Sequence, residues 1–152
     1  MLKPRKVGHV VLQAHDVERA EKFYTEVLGF EVVTRLRRPK GVFFSLGEQH
    51  HDLAVLEVPR TTETPNGARP GLHHVALQVG SWSELKEFYR LLKRHDVQIT
   101  ATIDHGITRS IYFLDPEGNQ FELYCDEGTD GLDRIRRGEA QAFTPLNFEA
   151  EL

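Results

Sequence analysis

His9-Val10-Val11-Leu12-Gln13 returns as His74-Val75-Ala76-Leu77-Gln78, and Phe23-Tyr24 returns as Phe88-Tyr89, in both cases 65 positions later. Equal displacement of two separate segments means that one architecture is used twice, and repeats are the feature whose neglect misassigns a fold. Between the two segments the apolar residues Ala20, Phe23, Tyr24 and Val27 stand at i, i+3, i+4 and i+7. Leu85, Phe88, Tyr89 and Leu92 do the same, so each copy contains a helix with one apolar stripe. Asp16 is placed to cap the start of the first helix, and Gly29 stands where a left-handed residue would end it. Ser81 followed by Glu84 forms a capping box for the second.

After each helix the apolar period drops from 3.6 to 2. Strands are predicted over 30–36, 42–46 and 53–58, and again over 97–103, 110–114 and 120–124. Asp115-Pro116-Glu117-Gly118-Asn119 supplies a turn for the last hairpin. Each copy therefore reads β-α-β-β-β, and the fold class is α+β with two βαβββ modules. They are expected at 1–58 and 71–126, joined by a Thr-, Pro- and Gly-rich linker at 59–70. A sheet with one helix on one face leaves its other face open, so the two sheets are expected to share a concave interior. Residues 127–152 show no period and read as a tail that wraps the body or a partner subunit.

The chain has 152 residues, one ordinary domain or two half-size modules with a common core. Its 19 basic and 23 acidic residues leave a net charge of −4, which offers no field for nucleic acid or an anionic membrane. The single Cys125 has no internal disulfide partner, and no apolar run approaches a signal segment or a span. A cytoplasmic location is the expectation. Eight histidines stand out, because imidazole is the commonest metal ligand.

Equivalent residues of a repeat are the first to ask about, and His9 and His74 are such a pair. Glu122 interrupts the apolar strand Phe121-Glu122-Leu123-Tyr124, where an unpartnered carboxylate would be costly to bury. Two imidazoles and one carboxylate form the facial triad that holds non-haem Fe(II) and leaves positions open for O2 and substrate.

The chain resembles the vicinal oxygen chelate superfamily, which includes glyoxalase I, extradiol ring-cleaving dioxygenases, fosfomycin-resistance enzymes and bleomycin-binding proteins. The resemblance runs from about Lys6 to Asp126. It is carried by Gly8-His9-Val10-Val11-Leu12, by Ala20-Glu21-Lys22-Phe23-Tyr24 through Leu28-Gly29-Phe30, by Leu72-His73-His74-Val75-Ala76-Leu77 and by Asp115 through Leu123. It implies paired βαβββ modules around a divalent metal, with His9, His74 and Glu122 on the ligand positions. Glyoxalase-like members carry a second Glu in the first module. Matching the hairpins at an offset of 68 sets Ala54 opposite Glu122, and an offset of 65 sets Glu57 there. The first match is favoured because it aligns the apolar runs better.

His50-His51-Asp52-Leu53-Ala54 resembles the extradiol segment that carries an acid/base histidine, and His51 takes that place. His105 and Tyr112 match the residues that contact the bound diol in that family. His50 and His73 are expected to point away from the metal by strand alternation, His15 and His95 flank helices, and all four are expected to have surface roles. The resemblance thus implies an Fe(II) extradiol dioxygenase that cleaves a catechol-like vicinal diol with O2, with Mn(II), Ni(II) or Zn(II) as other metals. A glyoxalase-type isomerase, epimerase or lyase is the first alternative, and a metal-free drug-sequestering protein the second. Many extradiol enzymes are about twice as long, so the tail or another subunit in a homodimer is expected to complete the pocket.

Overall fold

The computed structural model describes residues 2–62, 70–139 and 143–151. The chain divides into two units, Met1–Arg69 and Pro70–Leu152, and each holds one copy of the repeat. The first unit runs β1 (Val10–Ala14), α1 (Val17–Glu26), β2 (Glu31–Arg37), β3 (Lys40–Ser45) and β4 (Leu53–Glu57). Its sheet has the order β1-β4-β3-β2, with β1 parallel to β4 and the other neighbours antiparallel. The second runs β5 (Val75–Gln78), α2 (Trp82–Arg94), β6 (Ile99–Asp104), β7 (Thr108–Leu114) and β8 (Gln120–Asp126). Its order is β5-β8-β7-β6, again with one parallel pair, β5 with β8. The fold is α+β, two mixed sheets each carrying a helix.

The local signals act as the residue types require. Asp16 accepts from the Arg19 backbone N–H at 3.0 Å. Past α1, Gly29 takes φ +73°, and the Phe30 N–H reaches back to the Tyr24 carbonyl at 3.0 Å, a six-residue closure that only a left-handed residue permits cheaply. Ser81 caps α2 through the Glu84 N–H at 3.2 Å, but the Glu84 carboxylate accepts from the Gly80 N–H at 2.8 Å and not from Ser81. In the 115–119 turn, buried Asp115 accepts from the backbone N–H groups of Glu117 and Asn119 at 2.9 and 2.8 Å, and Gly118 adopts φ +86°.

Strand alternation then sorts the side chains. In the first unit Leu12, Val42, Phe44, Leu53 and Val55 are buried, as are Ala20, Phe23 and Tyr24 of α1. The Tyr24 ring lies 5.4 Å from Phe44 and 6.1 Å from Phe30. In the second unit Ile111, Phe113, Phe121 and Leu123 are buried, with Leu85, Tyr89 and Leu92 of α2. The opposite parity, Phe43 and Ala54 in one sheet and Tyr112 and Glu122 in the other, belongs to the second face.

The tail is more structured than its lack of periodicity suggests. It forms α3 (Gly131–Arg136), β9 (Thr144–Pro145) and α4 (Phe148–Glu151). β9 adds a fifth, antiparallel strand to the edge of β6, with Pro145 opposite Ile103 and Thr144 opposite Asp104. Phe148 is buried, stacked at 4.7 Å on Tyr89 and 4.9 Å from Trp82. Elements of two and four residues are too short to show a period, and what docks them is the β6 pairing together with the Phe148 anchor. Much of the predicted linker, 63–69, lies outside the described residues. Among the described residues no helix is long and apolar enough to cross a membrane.

Replacing Phe148 by Ala removes that anchor. The expected result is a loss of about 3 kcal/mol or more in unfolding free energy, with proteolysis beginning in the tail. Unfolding monitored by circular dichroism together with limited proteolysis measures both.

Candidate metal and substrate site

In the second unit three neighbouring strands, β5, β8 and β7, position a cluster of polar side chains. In the parallel pair β5–β8, Ala76 stands opposite Glu122, and in the antiparallel pair β7–β8, Tyr112 stands opposite Glu122. His74 stands in the irregular segment immediately before β5, two residues ahead of Ala76. The geometry follows: His74 Nε2 lies 3.0 Å from Glu122 Oε2, and Tyr112 Oη lies 2.9 Å from Glu122 Oε1. His105 Nε2 lies 3.0 Å from Tyr112 Oη. A phenol has one hydrogen. With that hydrogen given to the carboxylate, the Tyr112 oxygen accepts, and His105 must donate from Nε2. The result is a directed chain, His105 to Tyr112 to Glu122, with His74 on the other carboxylate oxygen. Glu122 is 8% exposed, so these partners replace the water it lost.

Burial and the facing Glu122 carboxylate both oppose a phenolate, and they push the Tyr112 hydroxyl up to about 12.

In the first unit Val11 stands opposite Ala54, and Phe43 opposite Ala54. Val11 is the repeat equivalent of Ala76, so the pairings make Ala54 the counterpart of Glu122 and Phe43 the counterpart of Tyr112. The structure thereby agrees with the 68-residue match. Glu57 stands opposite Ala14 and is ion-paired with Lys40 at 3.1 Å. Where the second unit has a carboxylate between His74 and Tyr112, the first has the His51 ring, 4.2 Å from His9 and 4.9 Å from Phe43. Burial, and then the neighbouring imidazoles His9 and His50, hold His51 below the ordinary histidine range, partly offset by Asp52.

The histidine doublets depart from the alternation expected of them. His50 Nδ1 faces His51 Nδ1 at 2.5 Å, and His73 Nδ1 faces His74 Nδ1 at 2.8 Å. Both doublets lie in irregular segments just before β4 and β5, where period-2 alternation does not operate. His50 and His73 are therefore ring partners of the two candidate residues, a role that the doublets themselves signalled in the sequence. His15 Nε2 contacts the Thr62 carbonyl at 2.9 Å, and His95 caps the end of α2.

Two donors that share an octahedral ion at about 2.1 Å and meet it at a right angle stand about 3.0 Å apart. The His74–Glu122 spacing matches this, and one nitrogen with one carboxylate oxygen suits a divalent cation. Among the described residues, no group of three or more His, Cys, Asp or Glu side chains is placed to hold a metal ion.

The sequence matches the model of the Glyoxalase/Bleomycin resistance protein/Dioxygenase superfamily over residues 6–123. The chain belongs to this superfamily. Among its relatives is biphenyl-2,3-diol 1,2-dioxygenase 2 of Rhodococcus globerulus, 35% identical over 122 residues, which are 80% of this chain and 63% of that protein. The chain thus spans less than two thirds of the length of that dioxygenase. A metallothiol transferase FosB of Staphylococcus saprophyticus is 31% identical over 134 residues, 85% of this chain and 82% of that protein. The glyoxylase/bleomycin resistance protein/dioxygenase domain from Frankia sp. EAN1pec superposes with a TM-score of 0.73 at 21% identity, covering 82% of this chain and all of that one, which is a likeness of fold.

In the metal-free superfamily member Tyr112 is expected to keep its proton well past pH ~10, where an ordinary tyrosine is half ionised. Glu122→Gln removes the charge but not the burial, so the ionisation should fall and still remain above the ordinary value. Tyrosine ζ-carbon NMR, with Tyr112→Phe for assignment, reads it; ionisation near pH 10 in the wild type would contradict the facing carboxylate.

Proposed function

We propose that the protein is an Fe(II) extradiol-type dioxygenase that cleaves a catechol-like vicinal diol with O2. The observation that carries the reading is the directed chain from His105 through Tyr112 to the buried Glu122, with His74 on the second carboxylate oxygen. In this reading His74 and Glu122, joined by His9 of the first unit, hold the metal, with Fe(II) ahead of Mn(II), Ni(II) or Zn(II). When bound, the ion supplies a Lewis acid and template with open positions, lowering the pKa of a diol hydroxyl.

The remaining chemistry belongs to the chain. With Glu122 given over to the ion, the hydrogens that run from His105 to Tyr112 and from Tyr112 to Glu122 are the ones these two residues would redirect to two adjacent oxygens of the diol. The phenol held near 12 stays protonated at neutral pH and remains a donor to a diolate oxygen. His51 moves the proton: its depressed affinity leaves a neutral imidazole at pH 7, able to take a hydroxyl proton and return it. Both atoms of O2 enter the product as one ring carbon–carbon bond breaks, so no further reductant is needed. The 35% identity to a biphenyl-2,3-diol dioxygenase supports the reading. Cys125 is a buried free thiol, consistent with the reducing cytoplasm in which we place the protein.

A second reading is favoured by one observation. The chain covers 82% of the metallothiol transferase against 63% of the dioxygenase. A one-pair member of that size would use the same ligands without O2.

Aerobic incubation of anaerobically Fe(II)-loaded protein with a panel of catechols should give the absorbance of yellow ring-opened products and consume one O2 per diol. His51→Ala should lower the rate by about 10²–10⁴-fold while leaving iron content unchanged. A fully loaded protein that consumes no O2 with any diol would move the assignment to the transferase or isomerase class.

A further inference from the structure

In the second sheet the tail takes the β6 edge, whereas the equivalent edge of the first sheet is open. β2 is the outermost strand of that sheet, and all its residues but Val32 are exposed. The irregular register after Val32 and after Ile99 sets Leu36 and Arg37 in the place of Ile103 and Asp104, the two residues that β9 pairs with. The repeat likewise sets Val17 in the place of Trp82. In the second unit the chain beyond β9 turns inward, and the Phe148 ring comes to rest 4.9 Å from Trp82. In the first unit a groove of about 580 Å³ lies between α1 and the β2–β3 hairpin. Val17, Leu36 and Val42 give it apolar surface, and its rim is charged. Arg35 pairs with Glu21 at 2.5 Å, Lys22 with Glu26 at 3.9 Å, and Lys40 with Glu18. Arg37, which also lines the groove, and its neighbour Arg38 have no carboxylate partner among the described residues.

We propose that the β2 edge and this groove dock an extended acidic segment of a partner protein. Two of its residues pair with Leu36 and Arg37 as β9 pairs with Ile103 and Asp104, an aromatic side chain a few residues on enters the groove, and its carboxylates meet Arg37 and Arg38. Strand addition at an open edge draws affinity from main-chain hydrogen bonds and selectivity from side chains. Arginines and a bulge also serve to keep stray strands off an edge. Here they exclude a second copy: antiparallel pairing of the segment beyond the bulge with itself sets Arg35 against Arg35 or against Arg37, and like charges directly opposite are unfavourable. Guarding does not account for the groove, however, because the second sheet carries the same irregularity at Thr100 and still accepts β9 beyond it. What the arginines add at an edge of this form is a choice of partner by charge.

The probes are two fluorescein-labelled peptides with the sequence of residues 143–151, one carrying Thr144→Glu and the other Thr144→Lys. Residue 144 stands opposite Asp104 in the second sheet, so in the first it would stand opposite Arg37. Fluorescence anisotropy at low salt measures binding to the full chain. The wild type is expected to bind the Glu peptide at least about tenfold more tightly than the Lys peptide. Arg37→Glu should reverse the order, a result that an unfolded variant cannot give. Backbone amide NMR shifts should move over 35–38. Failure of the Glu peptide to bind, equal affinity for the two peptides, or an order that survives Arg37→Glu overturns the proposal. Shifts confined to 102–105, where the peptide would be replacing the chain's own tail, overturn it as well. So does a wild-type dimer in sedimentation that Arg37→Glu dissociates, because a second copy would then be the occupant.

Discussion

A carboxylate in the middle of an apolar strand is the constraint from which the second unit takes its form. Phe121 and Leu123 are drawn into the core by their parity, so Glu122 must face the other way, and at 8% exposure it cannot rely on water. An ionised carboxylate without partners there would cost several kcal/mol. Tyr112 arrives at one of its oxygens because register brings it there, His74 reaches the other from the irregular segment before β5, and His105 follows because the phenol needs a donor. Polar groups satisfied in this way are rigid, and rigidity is what a ligand sphere requires.

The two units show what a duplicated frame does when its copies diverge. The frame is kept: the same strand order, one parallel pair, and an irregular register at the same place, after Val32 in β2 and after Ile99 in β6. The chemistry is split. One copy keeps His, Glu and Tyr; the other keeps His9 and replaces the carboxylate and phenol by Ala54 and Phe43, and the His51 ring rests on His9 and Phe43. In the proposed reading the second unit supplies His74, Glu122 and Tyr112, and the first supplies His9 and the proton-moving His51.

Most of the frame was legible because it depends on local pattern. Ala20, Phe23, Tyr24 and Val27 mark a helix whatever surrounds them, and Asp16 and Gly29 bound it through bonds that span a few residues. The Ala54 or Glu57 choice was only partly legible, since the loops between copies differ in length and the offset drifts from 65 in β1 to 68 in β4. Pairing across strands decides it, and sequence does not show pairing. The ring contacts of His50 and His73 were missed for a related reason: alternation was applied to segments that are not strands. Phe148 was illegible because its element is too short for a period, and what holds it is contact with α2.

The central proposal is that His9, His74 and Glu122 together hold one divalent ion. Anaerobic Fe(II) titration of the wild type and of His9→Ala, His74→Ala and Glu122→Ala tests it most directly. One ion per chain is expected, with each substitution weakening it by more than the about 10–100-fold typical of losing a mere supporting contact. Wild-type protein that holds no ion, or a His9→Ala variant that holds it as tightly as the wild type, would contradict the claim.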